Sequence, residues 1–249
     1  MKKNLLFSLT FCIAISFAAC KKTSTADEAA QPEDNASKVY AYILDLGFPA
    51  DQIVNKPDKF IVEEDIVFPK NMVVPAEKVR PEQYYTGSLV NQTKATNIRL
   101  RVDASMTSML AEIDAAIAQW NSIPNCRIHW TRTTGTYDVL IVNSNLGNGV
   151  CGQGTFPSGG NAGGTIWINK NYIAGNSFAQ RSRTICHEMG HNVSLRHTNW
   201  AARGESSATA VPGVGGTDAS SLMNGGQCGS GATVLSAKDK QASAVLYPL

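Results

Sequence analysis

The chain has 249 residues, of which 43% are hydrophobic and 17% are charged, and its formal net charge at pH 7 is +2. This weak positive charge, without a basic cluster or an aromatic platform, argues against a nucleic-acid-binding function. The residues from 94 onward are numerous enough for one core of ordinary size.

The first residues have the pattern of an export signal. Residues 1–4 are a short basic start, and residues 5–19 are an apolar run too short for a conventional transmembrane helix. The run ends in Phe-Ala-Ala-Cys, which resembles a bacterial lipobox, so we predict a signal peptide over 1–19 and lipidation at Cys20. Ordinary signal-peptidase cleavage after Ala18 is the alternative. Both interpretations predict export, and lipidation predicts attachment to a membrane of the cell envelope, as in an outer-membrane lipoprotein.

A polar linker and a small subdomain follow the export signal. Residues 20–37 are small and polar, so we predict a flexible tether from the lipidated cysteine. Residues 38–93 are more apolar and predict a separate N-terminal subdomain. Its expected elements are a short helix over 39–46 and two strands at 60–62 and 66–68.

From residue 94 the hydrophobic pattern becomes regular. Residues 97–102 alternate polar and apolar, as a half-buried strand does. Six apolar residues then recur at helical spacing and predict one long amphipathic helix: Met106, Met109, Leu110, Ile113, Ile117 and Trp120. Further strands are predicted at 126–130, 138–143 and 164–169, and the glycine-rich region 147–164 is predicted to be an irregular loop.

The cysteines outside the signal peptide indicate disulfides. Besides Cys20, four remain: Cys126, Cys151, Cys186 and Cys228. In an oxidising compartment an even number suggests two disulfides, and the sequence leaves three possible pairings open.

Residues 187–197, His-Glu-Met-Gly-His-Asn-Val-Ser-Leu-Arg-His, contain three of the four histidines. His187 and His191 are four residues apart, so on a helix their rings lie on one face and can bind one metal ion. His197 can join them only if the chain turns sharply near Ser194. The fourth histidine, His129, alternates with apolar neighbours and is not predicted to be a ligand.

Glu188 gives this cluster a possible reaction. Three neutral imidazole ligands leave one coordination position open for a water, and Glu188 can reach that water as a general base. The short His-Glu-x-x-His pattern alone is only moderately specific, and an isolated histidine is usually a core residue. With the third histidine, the run favours a hydrolytic zinc site.

Two capping patterns set the predicted limits of the last helices. Ser177 and Gln180 predict that the histidine-bearing helix begins near residue 178 and runs to about residue 193. Ser236 and Asp239 form a weaker capping pattern, which opens a C-terminal helix.

The extended histidine run resembles that of the metzincin clan of zinc metalloproteases, His-Glu-x-x-His-x-x-Gly-x-x-His followed by a methionine turn. On this resemblance His187, His191 and His197 are the zinc ligands, and Glu188 is the general base. Ser194 replaces the glycine of the pattern, at a cost on the order of 1 kcal/mol if its φ is positive.

The second half of the metzincin pattern is also present. Ser-Leu-Met-Asn at 221–224 resembles the methionine turn, which would place Met223 beneath the ligands, although methionines more often simply fill a core. Gly225 stands where some metzincins have a tyrosine that approaches the metal, so no tyrosine ligand is expected. Together with residues 60–66, the run resembles more narrowly the bacterial dual-action HEIGH metallopeptidase family.

The resemblance implies an α+β fold of the zincin or metzincin type. Its parts are a twisted mixed β-sheet, one long amphipathic helix, an active-site helix and a C-terminal helix. It implies a catalytic domain over 94–249 and a propeptide-like role for 38–93. The latter segment contains no cysteine, which excludes a cysteine latch on the metal. An acidic latch through Glu63, Glu64 or Asp65 is conceivable, although acidic residues near strands are usually just solvated.

The resemblance further implies a monomeric, zinc-dependent endopeptidase. An extended protein or peptide substrate would pair with an exposed strand edge at 164–169. Two alternatives stay open. The first is a non-catalytic envelope lipoprotein that uses a protease-like fold for binding, against which Glu188 argues because a structural zinc needs no base. The second is a zinc amidase that acts on cell-wall peptide.

Overall fold

The computed structural model describes residues 34–74, 84–206, 208–214 and 216–249. The expected signal peptide, Cys20 and most of the tether lie outside the described residues. The helices are α1 (Asn35–Asp45), α2 (Gln92–Ala95), α3 (Leu110–Asn121), α4 (Phe178–Asn192) and α5 (Ala237–Leu246), with 3-10 helices at Ala50–Gln52 and Ala104–Met109. The strands are β1 (Val54–Asn55), β2 (Lys59–Val62), β3 (Ile66–Pro69), β4 (Ile98–Val102), β5 (Trp130–Thr133), β6 (Val139–Asn143), β7 (Gly152–Thr155) and β8 (Thr165–Ile168).

The described strands form one mixed sheet in the order β1-β2-β3-β7-β8-β6-β4-β5. β1, β2 and β3 are an antiparallel meander, and β3 pairs in parallel with β7. On its other side β7 is antiparallel to β8, whereas β8, β6, β4 and β5 are parallel to one another. The N-terminal segment therefore contributes three strands to the sheet that the later residues form.

The polar–apolar alternation of β4 has the predicted effect on burial. Ile98 and Leu100 are buried in the core, while Arg99 points outward and binds Asp138 through two charge-assisted hydrogen bonds of 2.9 and 2.7 Å. One face of this strand therefore supports the core and the other is polar.

The strand predicted at 126–130 is wrong in its bounds, because β5 begins only at Trp130. The backbone N–H of Arg127 donates to Tyr247 O in the C-terminal tail, and Cys126 forms an isolated bridge with Pro248. The hydrogen bonds that a sheet partner would supply are thus made with the chain terminus.

The irregular loop predicted over 147–164 is also wrong, since it contains β7. The glycines that argued against a strand lie where β7 crosses α4. A Cβ added at Gly152 would lie 2.7 Å from Glu188 Oε1, and one added at Gly154 would lie 2.9 Å from Glu188 O. Close approach to α4, and not local flexibility, explains these glycines.

The long amphipathic helix begins as a 3-10 helix and becomes α-helical at Leu110. Met106, Ile113 and Trp120 from this region are fully buried, as their spacing predicted. α3 packs on α4, and the indole N–H of Trp120 donates to Cys186 O at 3.1 Å. This contact fixes α4 over the sheet.

Two groups of buried side chains stabilise the fold. The main core lies between the sheet and α3, α4 and α5. A smaller core joins α1 to β2 and β3 through Val39, Ile43, Phe60 and Phe68, and Phe156 completes it. The N-terminal segment therefore has an apolar core of its own, next to the sheet it extends.

One of the two expected disulfides is present among the described cysteines. Cys151 is bonded to Cys228, which links β7 to the chain that follows residue 224. Cys126 and Cys186 are free thiols, so the second predicted disulfide is wrong. Cys186 is fully buried on the core side of α4, and burial raises its thiol pKa. In the described part of the chain, no helix combines the length and hydropathy needed to cross a bilayer.

Candidate metal centre

Three histidine rings converge at the end of α4. His187 and His191 lie one turn apart with ring centroids 4.7 Å from each other, and the His197 ring lies 5.2 Å from both. His187 Nε2 and His197 Nε2 are 3.2 Å apart, and all three residues are buried. The predicted ligand residues are therefore brought together.

The sharp turn that returns His197 to the cluster is centred on Ser194, whose φ is 85°. Ser194 N donates to His191 O and Leu195 N donates to Gly190 O, both at 3.0 Å, which closes the end of α4. The serine hydroxyl lies 2.8 Å from Thr86 Oγ1 and accepts a hydrogen bond from Thr86 N at 3.3 Å. The predicted left-handed position is thus occupied by a serine whose side chain is hydrogen-bonded.

Each ring is held by its Nδ1 atom. His187 donates from Nδ1 to Leu222 O at 3.0 Å, and His191 donates to Leu195 O at 2.8 Å. His197 donates to the Glu205 carboxylate at 3.0 Å. Since these acceptors require a proton on Nδ1, each ring in its neutral form directs its Nε2 lone pair at one common point.

The Asp65 carboxylate lies at that common point. Asp65 Oδ2 is 3.1 Å from His197 Nε2 and 3.7 Å from His187 Nε2, and Oδ1 is 3.9 Å from His191 Nε2. Asp65 follows Glu63 and Glu64 in the turn between β2 and β3. It was one of three acidic candidates in the sequence, where nothing distinguished it from its neighbours.

The residues present fit a bound metal ion. One ligand atom from each of Asp65, His187, His191 and His197 lies within 4.8 Å of the others. Among the described residues, Asp65 Oδ1, Glu188 Oε2 and His191 Nε2 are buried without a hydrogen-bond partner. Buried polar atoms are rarely left unsatisfied, and imidazole and carboxylate groups at this spacing are zinc ligands.

The pKa values reflect this crowding of buried charges. Burial lowers the pKa of His197, but the Asp65 and Glu205 carboxylates outweigh it and raise the value to about 10. Burial raises the pKa of the Glu188 carboxyl, and the charge on Asp65 raises it further. A cation at the common point would reverse both effects, because it favours neutral imidazoles and ionised carboxylates.

Met223, the residue of the predicted methionine turn, packs against α4 at Gly190. Gly190, between the two helical histidines, leaves the space for it, since a Cβ there would lie 2.4 Å from Met223 Sδ. The turn is held from both sides. Arg183 donates to Asn224 O at 2.8 Å, and the buried Asp239 carboxylate accepts from Leu222 N at 2.8 Å.

Gly225 has its own contact with the cluster. A Cβ at this position would lie 2.6 Å from His197 Nδ1, so no larger side chain fits without movement. His129 is exposed near the start of β5 and is absent from the histidine cluster.

The strand edge expected at 164–169 is not an edge. β8 is paired with β6 on one side and with β7 on the other. The strand next to Glu188 is β7, and its outer side is paired with β3 of the N-terminal segment. The prediction failed because β7 could not be recognised from its glycines.

The structure has an α+β fold with one mixed sheet, and its histidine cluster is of the kind that metallopeptidases use to bind their metal. The profile of the dual-action HEIGH metallo-peptidase family matches residues 61–239. The chain belongs to this family, which implies a bound metal, typically zinc.

Two solved structures are among those to which the chain is similar, each with a TM-score under 0.5. The crystal structure of myroilysin has 16% sequence identity and a TM-score of 0.48, over 70% of this chain and 92% of that chain. High choriolytic enzyme 1, a hatching-enzyme zinc protease from the medaka fish Oryzias latipes, has 18% identity and a TM-score of 0.44, over 71% of this chain and 98% of that chain. No curated protein sequence matches the chain. Membership of the family rests on the family match alone.

Proposed function

We propose that the chain is a zinc-dependent endopeptidase in which His187, His191 and His197 bind the metal and Glu188 is the general base. One observation supports this above all: three Nε2 atoms face one point while hydrogen bonds hold every Nδ1. Glu188 lies one residue after a ligand and is buried against β7. A purely structural metal site would have no use for this carboxylate.

In this mechanism Glu188 handles the proton. A zinc ion held by the histidines would supply a Lewis acid that activates water and polarises the peptide carbonyl. Glu188 takes the proton of the attacking water and returns it to the leaving nitrogen. Gly152 closes one side of the carboxylate, because a Cβ there would lie 2.8 Å from Glu188 Cγ, so the side chain is kept at the site.

We place the substrate on the outer edge of β7. This edge is able to pair with an extended chain, since Gly154 N donates to Asp65 O at 2.9 Å in the described structure. Because β7 also borders Glu188, a peptide on this edge would pass close to the reactive centre. A protein or an unfolded peptide fits such an edge.

Zinc content and peptide cleavage test the proposal in the full exported chain. We expect about one zinc per chain in the wild type and in His129→Gln, and much less in His191→Gln, because His191 belongs to the cluster and His129 does not. The His129→Gln variant is the matched control, since it removes the exposed histidine.

The rate at which each purified variant cleaves a denatured protein is then measured. Glu188→Gln should keep its zinc and lose roughly 10²–10⁴-fold in rate. Zinc binding without cleavage would contradict the peptidase proposal and favour a binding lipoprotein. Full activity in Glu188→Gln would exclude Glu188 as the general base. Activity on cell-wall peptide but not on protein would favour the amidase.

We also propose export with a lipid on Cys20, from the sequence of residues 1–20 alone. The mass of the mature N-terminal peptide tests it. A peptide that begins at an unmodified Ala19 would exclude lipidation.

A further inference from the structure

We propose that a cavity at the carboxyl ends of β6 and β8 binds an uncharged sugar, and that the substrate is a peptide that carries such a sugar. The second half of this inference rests on the peptidase function proposed above. The cavity has a volume of about 310 Å³, which is within the range of small-molecule sites. We call it the asparagine cavity, because five asparagines line it: Asn143, Asn145, Asn148, Asn169 and Asn171.

The sheet explains why these residues lie together. β6 and β8 are neighbouring parallel strands, so their carboxyl ends lie at the same edge of the sheet. Asn143 is the last residue of β6, and Asn169 directly follows β8. In parallel sheets, the crevice outside the carboxyl ends of the strands is a common place for a ligand. The asparagine cavity is therefore built on rigid elements of the fold.

Hydrogen bonds with the backbone fix the orientation of two of these amides. Asn169 donates from Nδ2 to Gly147 O at 2.8 Å and to Val150 O at 3.0 Å. Asn143 Oδ1 accepts from Lys170 N at 3.1 Å. The other ends of the two amides, Asn169 Oδ1 and Asn143 Nδ2, bond no described residue and are not fully buried. One acceptor and one donor group are therefore held in place for a ligand.

The lining favours an uncharged ligand that both donates and accepts hydrogen bonds. None of the described residues that line the cavity carries a charge, so a phosphate would lack an arginine or lysine and a divalent cation would lack a carboxylate. Each amide offers donors and an acceptor, as each hydroxyl of a sugar does. The Tyr172 ring, which is 45% exposed, adds an apolar face on which the C–H side of a sugar ring can pack. A neutral saccharide matches this combination.

The loop over residues 147–152 is a wall that the asparagine cavity shares with the cleft of the metal centre. Its first two residues line the asparagine cavity, whereas its last four line the cleft together with Glu188. Asn169 holds this loop, because its backbone N–H donates to Cys151 O at 2.8 Å in addition to the bonds of its side chain. A peptide bound at the metal would thus lie one loop away from the cavity, and a sugar attached to that peptide would reach it.

A hydrated depression of the surface is the competing interpretation, and Asn169 argues against it. Only 4% of this residue is exposed, and its amide is fixed by two backbone carbonyls. Asparagines that serve only to bind water at a surface need no such support. Amides fixed before binding also reduce the entropy that a ligand loses, which is typical of a binding site.

A saccharide titration of the full chain tests the cavity without any cleavage. The probes are two uncharged disaccharides, N,N′-diacetylchitobiose and maltose, and saturation-transfer NMR measures their binding. We expect at least one probe to bind, and Tyr172→Ala and Asn171→Ala each to weaken its binding by about tenfold. Tyr137→Ala is the matched control, because Tyr137 is also exposed but lies outside the lining. Equal melting temperatures would show that the variants are folded.

A cleavage assay tests the substrate class. It compares a denatured glycoprotein that carries neutral glycans with the same protein after an endoglycosidase has removed them. We expect the wild type to cleave the glycosylated form with a kcat/KM about tenfold higher, because binding of the sugar contributes to binding of the substrate. Tyr172→Ala should lose this preference and cleave the deglycosylated form at the wild-type rate, since it does not touch the metal centre.

The outcomes separate the two proposals. A wild type that binds neither probe, or binding that Tyr172→Ala and Asn171→Ala leave unchanged, would overturn the sugar site and would not affect the peptidase function. Binding at the cavity without faster cleavage of the glycosylated form would overturn the substrate class. Binding at the cavity without cleavage of either form would overturn the peptidase function, although the sugar site would remain.

Discussion

Ser194 shows how a single residue can depart from a family pattern without losing the geometry. The pattern has glycine here because φ is positive, and the structure confirms a φ of 85°. The serine compensates with its hydroxyl, which is hydrogen-bonded to Thr86. The sequence could locate the strained position, but the partner is 108 residues away and could not be inferred from spacing.

Substitutions at Ser194 should separate strain from hydrogen bonding. Ser194→Ala keeps the strained φ and loses the bond to Thr86, so it should cost about 1–2 kcal/mol in free energy of unfolding. Ser194→Gly loses the same bond but relieves about 1 kcal/mol of strain, so it should stay within about 1 kcal/mol of the wild type. Urea denaturation measures both. A glycine variant less stable than the alanine variant would contradict this explanation.

Glu205 contacts the histidine cluster, and the sequence did not indicate it. Its carboxylate accepts the Nδ1 proton of His197 at 3.0 Å and also contacts Arg203. Such a partner orients a metal-binding ring and raises its basicity. No motif could reveal it, because it follows His197 by an irregular segment of chain and not by a helical or strand period.

Among the elements, the helices were predicted better than the strands. α4 has its N-cap at Ser177, which accepts from Gln180 N at 3.3 Å, and α5 has a complete capping box between Ser236 and Asp239. Both caps are made between residues three positions apart in the chain, so they can be recognised in the sequence. The Gln180 side chain bonds Gly231 O instead of closing its own box, so even here tertiary contacts decide the details.

The sequence did not predict β7, because the strand contains glycines that are required by the close approach of α4. Its glycines have low strand propensity, and only the proximity of α4 explains them. The mispredicted substrate edge followed from this omission. Burial patterns reveal strands that face a core, whereas β7, which lies against the Glu188 side chain, has a composition that resembles a loop.

Gly152→Ala should therefore impair catalysis more than folding. The new Cβ would lie 2.7 Å from Glu188 Oε1, so the carboxylate must move. A displacement of about 1 Å in such a group can cost about 10²-fold in rate. The control is Gly164→Ala, where the Cβ has no atom within 4 Å and φ is not positive. Cleavage rate and zinc content are measured on both variants, and a slower Gly152→Ala that keeps its zinc would confirm the expectation. Unchanged cleavage by Gly152→Ala would argue against Glu188 as the base.

At the scale of the whole molecule, the sheet connects the N-terminal segment with the residues that carry the histidines. The sequence predicted both regions but not their shared sheet, since the β3–β7 pairing depends on the unrecognised strand. It also predicted one disulfide too many, because cysteine counts do not show that Cys186 faces the core. Long-range pairing is the part of this fold that local patterns do not contain.

Metal removal should destabilise the whole chain. Three imidazoles and a carboxylate are buried together, and a ligand that binds only the folded state stabilises it by about 4 kcal/mol at a thousandfold excess over Kd. We expect EDTA to lower the melting temperature by about 10 °C, at 2–4 °C per kcal/mol for a chain of this size. Added Zn²⁺ should restore it. The same scan on His191→Gln should show no response to EDTA, and a response there would place the stabilising metal elsewhere.

The described disulfide joins Cys151 to Cys228, so the N-terminal strands are held to the rest of the described sheet by the chain connection and by non-covalent contacts such as the β3–β7 pairing. While the chain is intact, the two partners of that pairing meet at an effective concentration of the order of millimolar or higher. After a single cut between β3 and β4, the same pairing becomes bimolecular, and its occupancy follows the total protein concentration. A cut sample would stay associated in a concentrated stock and separate on dilution, with a lag set by the dissociation rate of the N-terminal segment.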